Sequence, residues 1–454
     1  MAKNKTSLRV GIISDPHLGF LGHINPNYYG LGQEPFGVQD KWYEYVLRYF
    51  KYRGVDVIVI PGDMANACAY GDKTKTSADY AVEEIIRSGK IFREVFKNTN
   101  TQIFCIYGNH DNFCQNREFL NGGDQNIWQE AYGEPYAHTV VKNIKGFNFV
   151  GGHWGYEQEA KPYLDKLTKE TPNKPVFYVQ HPAIKHTTCD SFTCGQLFDT
   201  GRELVKDYEN VIALFGHTHS PITSELTIWQ SKKPEDPKCT VISCSTLNYG
   251  DSTGDLVRGE NLMTKHALYL TVSGDNQVNV ERLSFYTPEM LDLANGRKTK
   301  QKFKKCVRSC GKDWSFTVGG EKVYDAEERK QKATAPEFPK GATAGLCRSN
   351  TEVLVCFPSA IPLDCDDNIL HSYYVEAIDE ETNEVVSYGQ ISTEFHVDHS
   401  SDYLSPYYQV LIRHLQPDTN YLFKVYARDC FGNMSTNPII HRGKTMAEKF
   451  ERLK

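Results

Sequence analysis

Up to about residue 285 the chain alternates between two hydrophobic periods. Continuous apolar runs occur at Leu8–Ser14, Val55–Ile60, Gln102–Tyr107, Phe147–Val150, Pro175–Gln180, Val211–Phe215 and Cys239–Ser243. Most are rich in Val, Ile and Phe, as expected of strands covered on both faces. Helical stripes separate the early ones. Trp42, Tyr45, Val46, Tyr49 and Phe50 recur at i, i+3, i+4, i+7 and i+8, with Asp40 to cap the start and Gly54 to end it. The spacing predicts a second helix over Ser77–Lys97, with Val82, Ile85, Ile86, Phe92 and Val95 turned inward. Strands that alternate with helices define an α/β domain. His266–Ser273 and Gln277–Phe285 then read as a hairpin around Gly274-Asp275-Asn276.

From Leu291 to about Lys332 this pattern breaks. Arg297, Lys298, Lys300, Lys302, Lys304 and Lys305 form a basic run, and Glu327–Lys332 is charged, so the stretch reads as a solvated linker or crossing segment. After it come short runs at sandwich spacing, at Glu352–Phe357, Ser372–Ala377, Val385–Ser392, Tyr407–His414 and Tyr421–Ala427, separated by Pro, Asp, Asn and Gly. The organisation expected is a domain over residues 1–290, a linker over 291–332 and a β-sandwich over 333–446. A length of 454 residues agrees with more than one core.

Composition changes this picture little. Apolar residues make up 40% and charged residues 24%, ordinary for a globular protein. A net charge of -6 lacks the basic footprint of a nucleic-acid binder, and no run approaches the roughly 20 apolar residues of a membrane helix. Met1–Arg9 is polar and basic and leads straight into the first strand-like run, without the apolar region of a signal peptide; a cytoplasmic location is the expectation. The 13 cysteines include no C-x-x-C pair and are expected to be mostly reduced, with Cys105 and Cys244 in the core.

The candidate chemistry sits just after the strand-like runs, where α/β sheets gather ligands. Asp15-Pro16-His17 puts a carboxylate and an imidazole two residues apart on an extended chain. Gly62-Asp63 follows the second run, and the glycine permits a tight turn. Gly108-Asn109-His110-Asp111 follows the third and offers a neutral oxygen ligand beside an imidazole. His181 follows Val176–Gln180, and Gly216-His217-Thr218-His219 supplies two imidazoles in one step. The tetrapeptide Gly108–Asp111 after an apolar strand is the most specific of these and the other motifs are weak alone; the order and the strand context make the set specific.

Taken together, D-x-H, G-D, G-N-H-D, H and G-H-x-H resemble the calcineurin-like metallophosphoesterase superfamily over about residues 8 to 285. The resemblance implies a four-layer α/β/β/α sandwich and a dinuclear metal centre. One ion is expected on Asp15, His17, Asp63 and His219, the other on Asp63, Asn109, His181 and His217, with Asp63 bridging. His110 is expected as the catalytic non-ligand histidine, oriented by Asp111. Two divalent ions, two carboxylates and a metal-bridging hydroxide leave about +1 of charge, a seat for a phosphoryl group that the hydroxide attacks in line. These donors suit Mn, Fe or Zn, and occupancy is expected to fall below about pH 6.5 as the histidines protonate. In the C-terminal part, Leu415-Gln416-Pro417-Asp418-Thr419-Asn420-Tyr421 resembles the L-x-P-x-T-x-Y corner of fibronectin type III domains, which implies an immunoglobulin-like sandwich with a tyrosine hydroxyl bonded back to the upstream backbone.

Departures from subfamily patterns narrow the substrate. The serine/threonine protein phosphatases carry G-D-x-x-D-R-G and G-N-H-E, whereas this chain has Gly62–Ala67 without that Asp-Arg and ends its third motif on Asp111. Purple acid phosphatases use a tyrosine just after the bridging aspartate, and none stands at 64–67. The pattern is closer to the phosphodiesterase branches, so a small, nucleotide-like diester is the first expectation. A phosphomonoesterase or nucleotidase on the same site is the second, and an interaction protein with a vestigial site the third. Trp154 and Tyr249 are candidate substrate-binding aromatics, the segment Lys185–Gln196 beside His181 is a candidate lid, and His153 is a spare candidate ligand. The C-terminal sandwich is the expected surface for a protein partner.

Overall fold

The computed structural model describes residues 6–19, 38–67, 76–111, 127–188, 200–248, 265–285, 307–363, 369–393 and 405–447. Two compact units emerge, the first carried by Met1–Ile222, Thr227–Thr253 and Gly259–Asp325 and the second chiefly by Ala326–Lys454. Strands of the first unit are, in chain order, β1 (Thr6–Ile12), β2 (Val57–Ile60), β3 (Gln102–Cys105), β4 (Thr139–Ile144), β5 (Phe147–Gly152), β6 (Val176–Val179) and β7 (Val211–Phe215). They continue with β8 (Ile228–Trp229), β9 (Thr240–Ser243), β10 (His266–Ser273), β11 (Gln277–Ser284), β12 (Arg308–Ser309) and β13 (Trp314–Thr317). Its helices are α1 (Val38–Arg53), α2 (Ser77–Val95), α3 (Ile127–Tyr132), α4 (Lys161–Glu170) and α5 (Thr200–Val205).

Two sheets stack face to face. One runs β12-β11-β10-β1-β2-β3, with β13 also on β11; the other runs β4-β5-β6-β7-β9-β8. The parallel strands β1, β2 and β3 lie at the centre and edge of the first, and β5, β6, β7 and β9 form the parallel middle of the second. Alternation along each strand sorts side chains into two cores. Val57 and Val59 point between the sheets with Val10, Phe149, Phe177 and Leu214. Ile58 and Ile60 point the other way, into a core shared with Trp42, Phe50, Ile85 and Trp128 of the helices. Helix α4 packs against β5 and β6 and completes the four-layer α/β/β/α sandwich. Helix α2 starts with a capping box: Asp79 N–H donates to Thr76 Oγ1 at 3.3 Å, and Thr76 N–H donates to Asp79 Oδ2 at 2.8 Å.

One expectation needs correcting. The stretch read as a linker contains sheet: β12 and β13 both pair with β11, and Trp314 and Phe316 fill the core between the sheets. The first unit therefore continues to Asp325. The density of lysine around residue 300 had outweighed the short alternation Trp314-Ser315-Phe316, which is that of a half-buried strand. The basic run itself, Arg297–Lys305, lies outside the described residues.

The second unit holds helix α6 (Ala326–Lys332) and strands β14 (Gly345–Arg348), β15 (Val353–Pro358), β16 (Leu370–Asp379), β17 (Val385–Ser392), β18 (Tyr407–Ile412), β19 (Asn420–Asp429) and β20 (Ile439–Lys444). They make a three-stranded sheet, β14-β15-β18, and a four-stranded one, β17-β16-β19-β20, around one core that includes Val355, Tyr373, Val375, Tyr421 and Val425. Tyr421 is buried at the start of β19, and its hydroxyl accepts the Gln416 amide at 2.9 Å, as the corner motif implies.

Candidate metal centre

All five motifs meet at the C-terminal ends of β1, β2, β3, β6 and β7. The loops after β1 and β2 extend their pairing: His17 N–H donates to Asp63 O at 3.0 Å and Leu18 N–H to Met64 O at 2.8 Å. The turns are tight and unusual. Asp15, His17, Asp63, His217 and His219 all have positive φ, at 48°, 43°, 54°, 68° and 51°. Non-glycine residues occupy this left-handed region at a cost, and such residues gather where surrounding structure imposes a functional geometry. Neighbouring glycines make room. A Cβ on Gly62 would stand 2.5 Å from His181 Nδ1, and one on Gly216 or Gly108 would collide with the carboxylate of Asp15 or Asp63.

The side chains form two groups that share Asp63. In the first, Asp15, His17, Asp63 and His219 present donor atoms within 4.8 Å of one another. His219 Nε2 is 3.0 Å from Asp15 Oδ1 and 3.1 Å from His17 Nε2. In the second, Asp63, His181 and His217 converge in the same way, and Asn109 Oδ1 lies 3.0 Å from His181 Nε2 and 2.9 Å from His217 Nδ1. Asp63 Oδ2 is 3.7 Å from His17 Nε2 and 3.2 Å from His181 Nε2, while Oδ1 accepts the His110 amide at 2.9 Å. Each predicted ligand is thus brought to the cluster.

The surroundings prepare these atoms for a cation. His181 Nδ1 donates to Pro61 O at 2.7 Å, so the neutral ring carries its lone pair on Nε2, towards Asp63 and Asn109. Asp15 is held by the Ser14 hydroxyl and the His217 amide. Burial raises the Asp15 and Asp63 carboxyls, but His219 outweighs it for the first and His181 with His110 for the second, leaving both below the ordinary range. Burial, with His110 or His181 beside them, keeps His17 well below its usual value and His217 at about 4, so both rings are neutral donors. Burial would lower His181 too, but Asp63 outweighs it and pushes it up to about 9. Two buried carboxylates, an amide oxygen and imidazole lone pairs facing one another fit positive charge, and their hard-to-borderline character fits divalent transition ions.

The remaining predicted residues fall as follows. His110 sits beside the cluster, edge-on to His17 with ring centroids 4.7 Å apart. Asp111 departs from expectation. Its oxygens accept the Ala65 and Gly108 amides, each at 2.8 Å, tying the second loop to the third, and His110 Nδ1 meets the Asn66 carbonyl at 2.9 Å instead. Burial, reinforced by Asp63, pushes the Asp111 carboxyl up to about 8. Trp154 packs against His181 and His217, with centroid distances of 5.7 and 5.3 Å. His153 is turned away: its Nδ1 accepts the Tyr107 amide at 2.8 Å, and its ring packs among Tyr107, Trp128 and Tyr136. Tyr249 and most of the candidate lid, from residue 189, lie outside the described residues.

Several supports carried no sequence signal. Gln39 is buried and donates to Pro16 O and Leu247 O, and Lys265 in turn donates to Gln39 Oε1 at 2.8 Å. Thr246 Oγ1 donates to Asp15 O at 3.1 Å. Glu84 of α2 accepts the amides of Asn66 and Ala67. An acid on an amphipathic helix or a glutamine near a helix start is ordinarily solvated, so only the tertiary structure exposes these roles.

A two-sheet α/β sandwich with a shared carboxylate between two histidine-rich ligand groups is the architecture of a dinuclear metal hydrolase. The sequence profile of the calcineurin-like phosphoesterase family matches residues 8–221, and this match supports a phosphoric ester hydrolase. No curated protein matches the chain. Among solved structures, it is similar to a dimetal phosphatase from Danio rerio, at 10% identity over 69% of this chain and 100% of the other, with a TM-score of 0.42. It is similar to a purple acid phosphatase from yellow lupin (Lupinus luteus) seeds, at 12% identity over 70% of this chain and 56% of the other, with a TM-score of 0.40. The FN5 domain of Drosophila Lar matches at 17% identity over 25% of this chain and 99% of that domain, with a TM-score of 0.17.

Proposed function

We propose that the protein hydrolyses a small phosphodiester with a flat, nucleotide-like organic group, using two divalent ions, of which Mn, Fe and Zn suit the donors. Asp15, His17, Asp63 and His219 hold one ion; Asp63, Asn109, His181 and His217 hold the other. Two ions bound there would supply positive charge to the phosphoryl oxygens and a more acidic water. The chain's own residues do the rest. Ser14 and the His217 amide orient Asp15, and Pro61 O fixes the His181 tautomer. His110 donates Nδ1–H to Asn66 O, so Nε2 is the nitrogen that gives a proton to the leaving oxygen.

The diester reading rests on the third motif ending in Asp111 and on the lack of an Asp-Arg after Gly62-Asp63; the observation that supports a flat organic group is Trp154. Its indole lies against the two histidines of the second ligand group, where it gives the organic substituent of an ester an aromatic face. The test compares bis-p-nitrophenyl phosphate with p-nitrophenyl phosphate, with Mn²⁺ added and with metal stripped. Faster, metal-dependent cleavage of the diester is expected, and Asp63→Asn abolishes it. Faster cleavage of the monoester would move the reading to a phosphatase or nucleotidase. Cleavage that survives Asp63→Asn would remove the bridging role of that carboxylate.

A further inference from the structure

One peptide group joins His110 to a buried acid that lies outside the ligand set. The carbonyl of the Asn66–Ala67 peptide is 2.9 Å from His110 Nδ1. Its N–H, on Ala67, donates to Glu84 Oε2 at 3.0 Å, and the same oxygen accepts the Asn66 amide at 2.8 Å. Glu84 and Asn66 are each only 3% exposed. The first-motif loop closes on the other carboxylate oxygen, since a Cβ on Gly19 would overlap Glu84 Oε1. Arg87 of the same helix and Asp40 of α1, themselves paired at 2.7 Å, are the charged groups that act on Glu84. Asp111, the acid next to His110 in sequence, is committed to the Ala65 and Gly108 amides.

In a trans peptide the C=O and N–H point in opposite directions, so an anion on the N–H strengthens the carbonyl as an acceptor. We propose that Glu84 is a positioning residue for His110, acting through the Asn66–Ala67 peptide. The carboxylate fixes the plane of that peptide and polarises it. The Asn66 carbonyl then holds the His110 Nδ1–H and leaves Nε2 for the leaving oxygen. This rests on the reading of His110 as the group that protonates the leaving oxygen. It replaces a direct carboxylate–imidazole contact with one relayed through the backbone.

The experiment uses the full-length, Mn²⁺-loaded protein at pH 8.5 and two diesters, bis-p-nitrophenyl phosphate and diphenyl phosphate. The second leaves as a poorer anion and depends more on proton donation. Glu84→Gln keeps an oxygen for both amides but removes the charge. The expected result is a rise of about fivefold or more in the ratio of kcat for the nitrophenyl ester to kcat for the phenyl ester, with KM held. His110→Ala raises the same ratio further, and adding Glu84→Gln to it changes nothing more. Glu84→Ala, which also loses the acceptor, exceeds Glu84→Gln, and metal content measured on each variant separates these effects from loss of the fold. As a readout independent of turnover, the hydrogen-bonded Nδ1 proton resonance of His110, identified by its loss in His110→Ala, moves upfield in Glu84→Gln. An equal effect of Glu84→Gln on both esters, or full additivity with His110→Ala, would overturn the relay while leaving His110 in place. An unchanged ratio in His110→Ala would overturn the reading of His110 itself, and the relay with it.

Discussion

At the scale of single residues the site is crowded by design of its turns, and small changes there have calculable effects. Gly216 has no positive φ to protect, so alanine is conformationally allowed; what it lacks is room, because the new Cβ would meet Ser14 Oγ and Asp15 Oδ2. Gly216→Ala is expected to cost about 1–3 kcal/mol of stability by overpacking. It should lower kcat/KM by about 10²-fold through displacement of Asp15. Metal content by elemental analysis, together with kinetics, checks both. Glu84 carries a pH signature. Burial lifts its carboxyl from 4.5 to about 7, against the Ala67 and Asn66 amides that pull it down. An acid with a raised native pKa binds its proton more tightly folded than unfolded. Its contribution therefore falls as pH rises from the unfolded to the folded value, and stays lost above about pH 7. The loss is on the order of 3 kcal/mol. Urea unfolding of the chelator-treated protein at pH 5 and pH 8 should show Glu84→Gln gaining on the wild type at the higher pH. A difference that ignores pH would contradict it.

At the scale of elements, the tyrosine corner can be tested alone. Tyr421→Phe keeps the buried ring but leaves the Gln416 amide without its acceptor. Because Gln416 itself is exposed and water can reach nearby, the loss should be about 1 kcal/mol, read as a lower unfolding midpoint of the second unit with hydrolysis unchanged. The same scale shows what the sequence made legible. Long unbroken runs such as Val211–Phe215 announced buried strands, and the motifs behind them announced the residues that gather in one cluster, since each loop leaves its strand at the same edge of the sandwich. Strand β4, with Lys142 and Asn143 among its valines, and β20, with Arg442 and Lys444 on its exposed face, are edge strands whose polar residues blur the period. The left-handed conformations at Asp15, His17, Asp63, His217 and His219 were not legible, because only glycine signals positive φ strongly; aspartate and histidine enter this region more often than most side chains but still seldom, and here the packing of neighbouring loops imposes it. The pairing of Asp111 with backbone amides instead of His110 was hidden for a related reason: adjacency in sequence says nothing about which of two loops a side chain ties together.

At the scale of the whole molecule, two units with separate cores should unfold as two events, and the metal centre belongs to only one of them. Ions bound by the native state alone stabilise it by mass action, about 2.7 kcal/mol for each ion present at a hundred times its Kd. In a unit of roughly 300 residues each kcal/mol moves Tm by about 1.5 °C, so removing both ions should lower one calorimetric transition by about 5 °C or more. The other transition, that of the β-sandwich, should stay where it is. Asp63→Asn should reproduce the chelated profile without chelator, because the shared carboxylate serves both ligand groups. If both transitions moved together, the two units would be one cooperative block. If neither moved, the cluster would not hold metal in solution, and the folded domain would have to be read as an interaction module on a hydrolase scaffold.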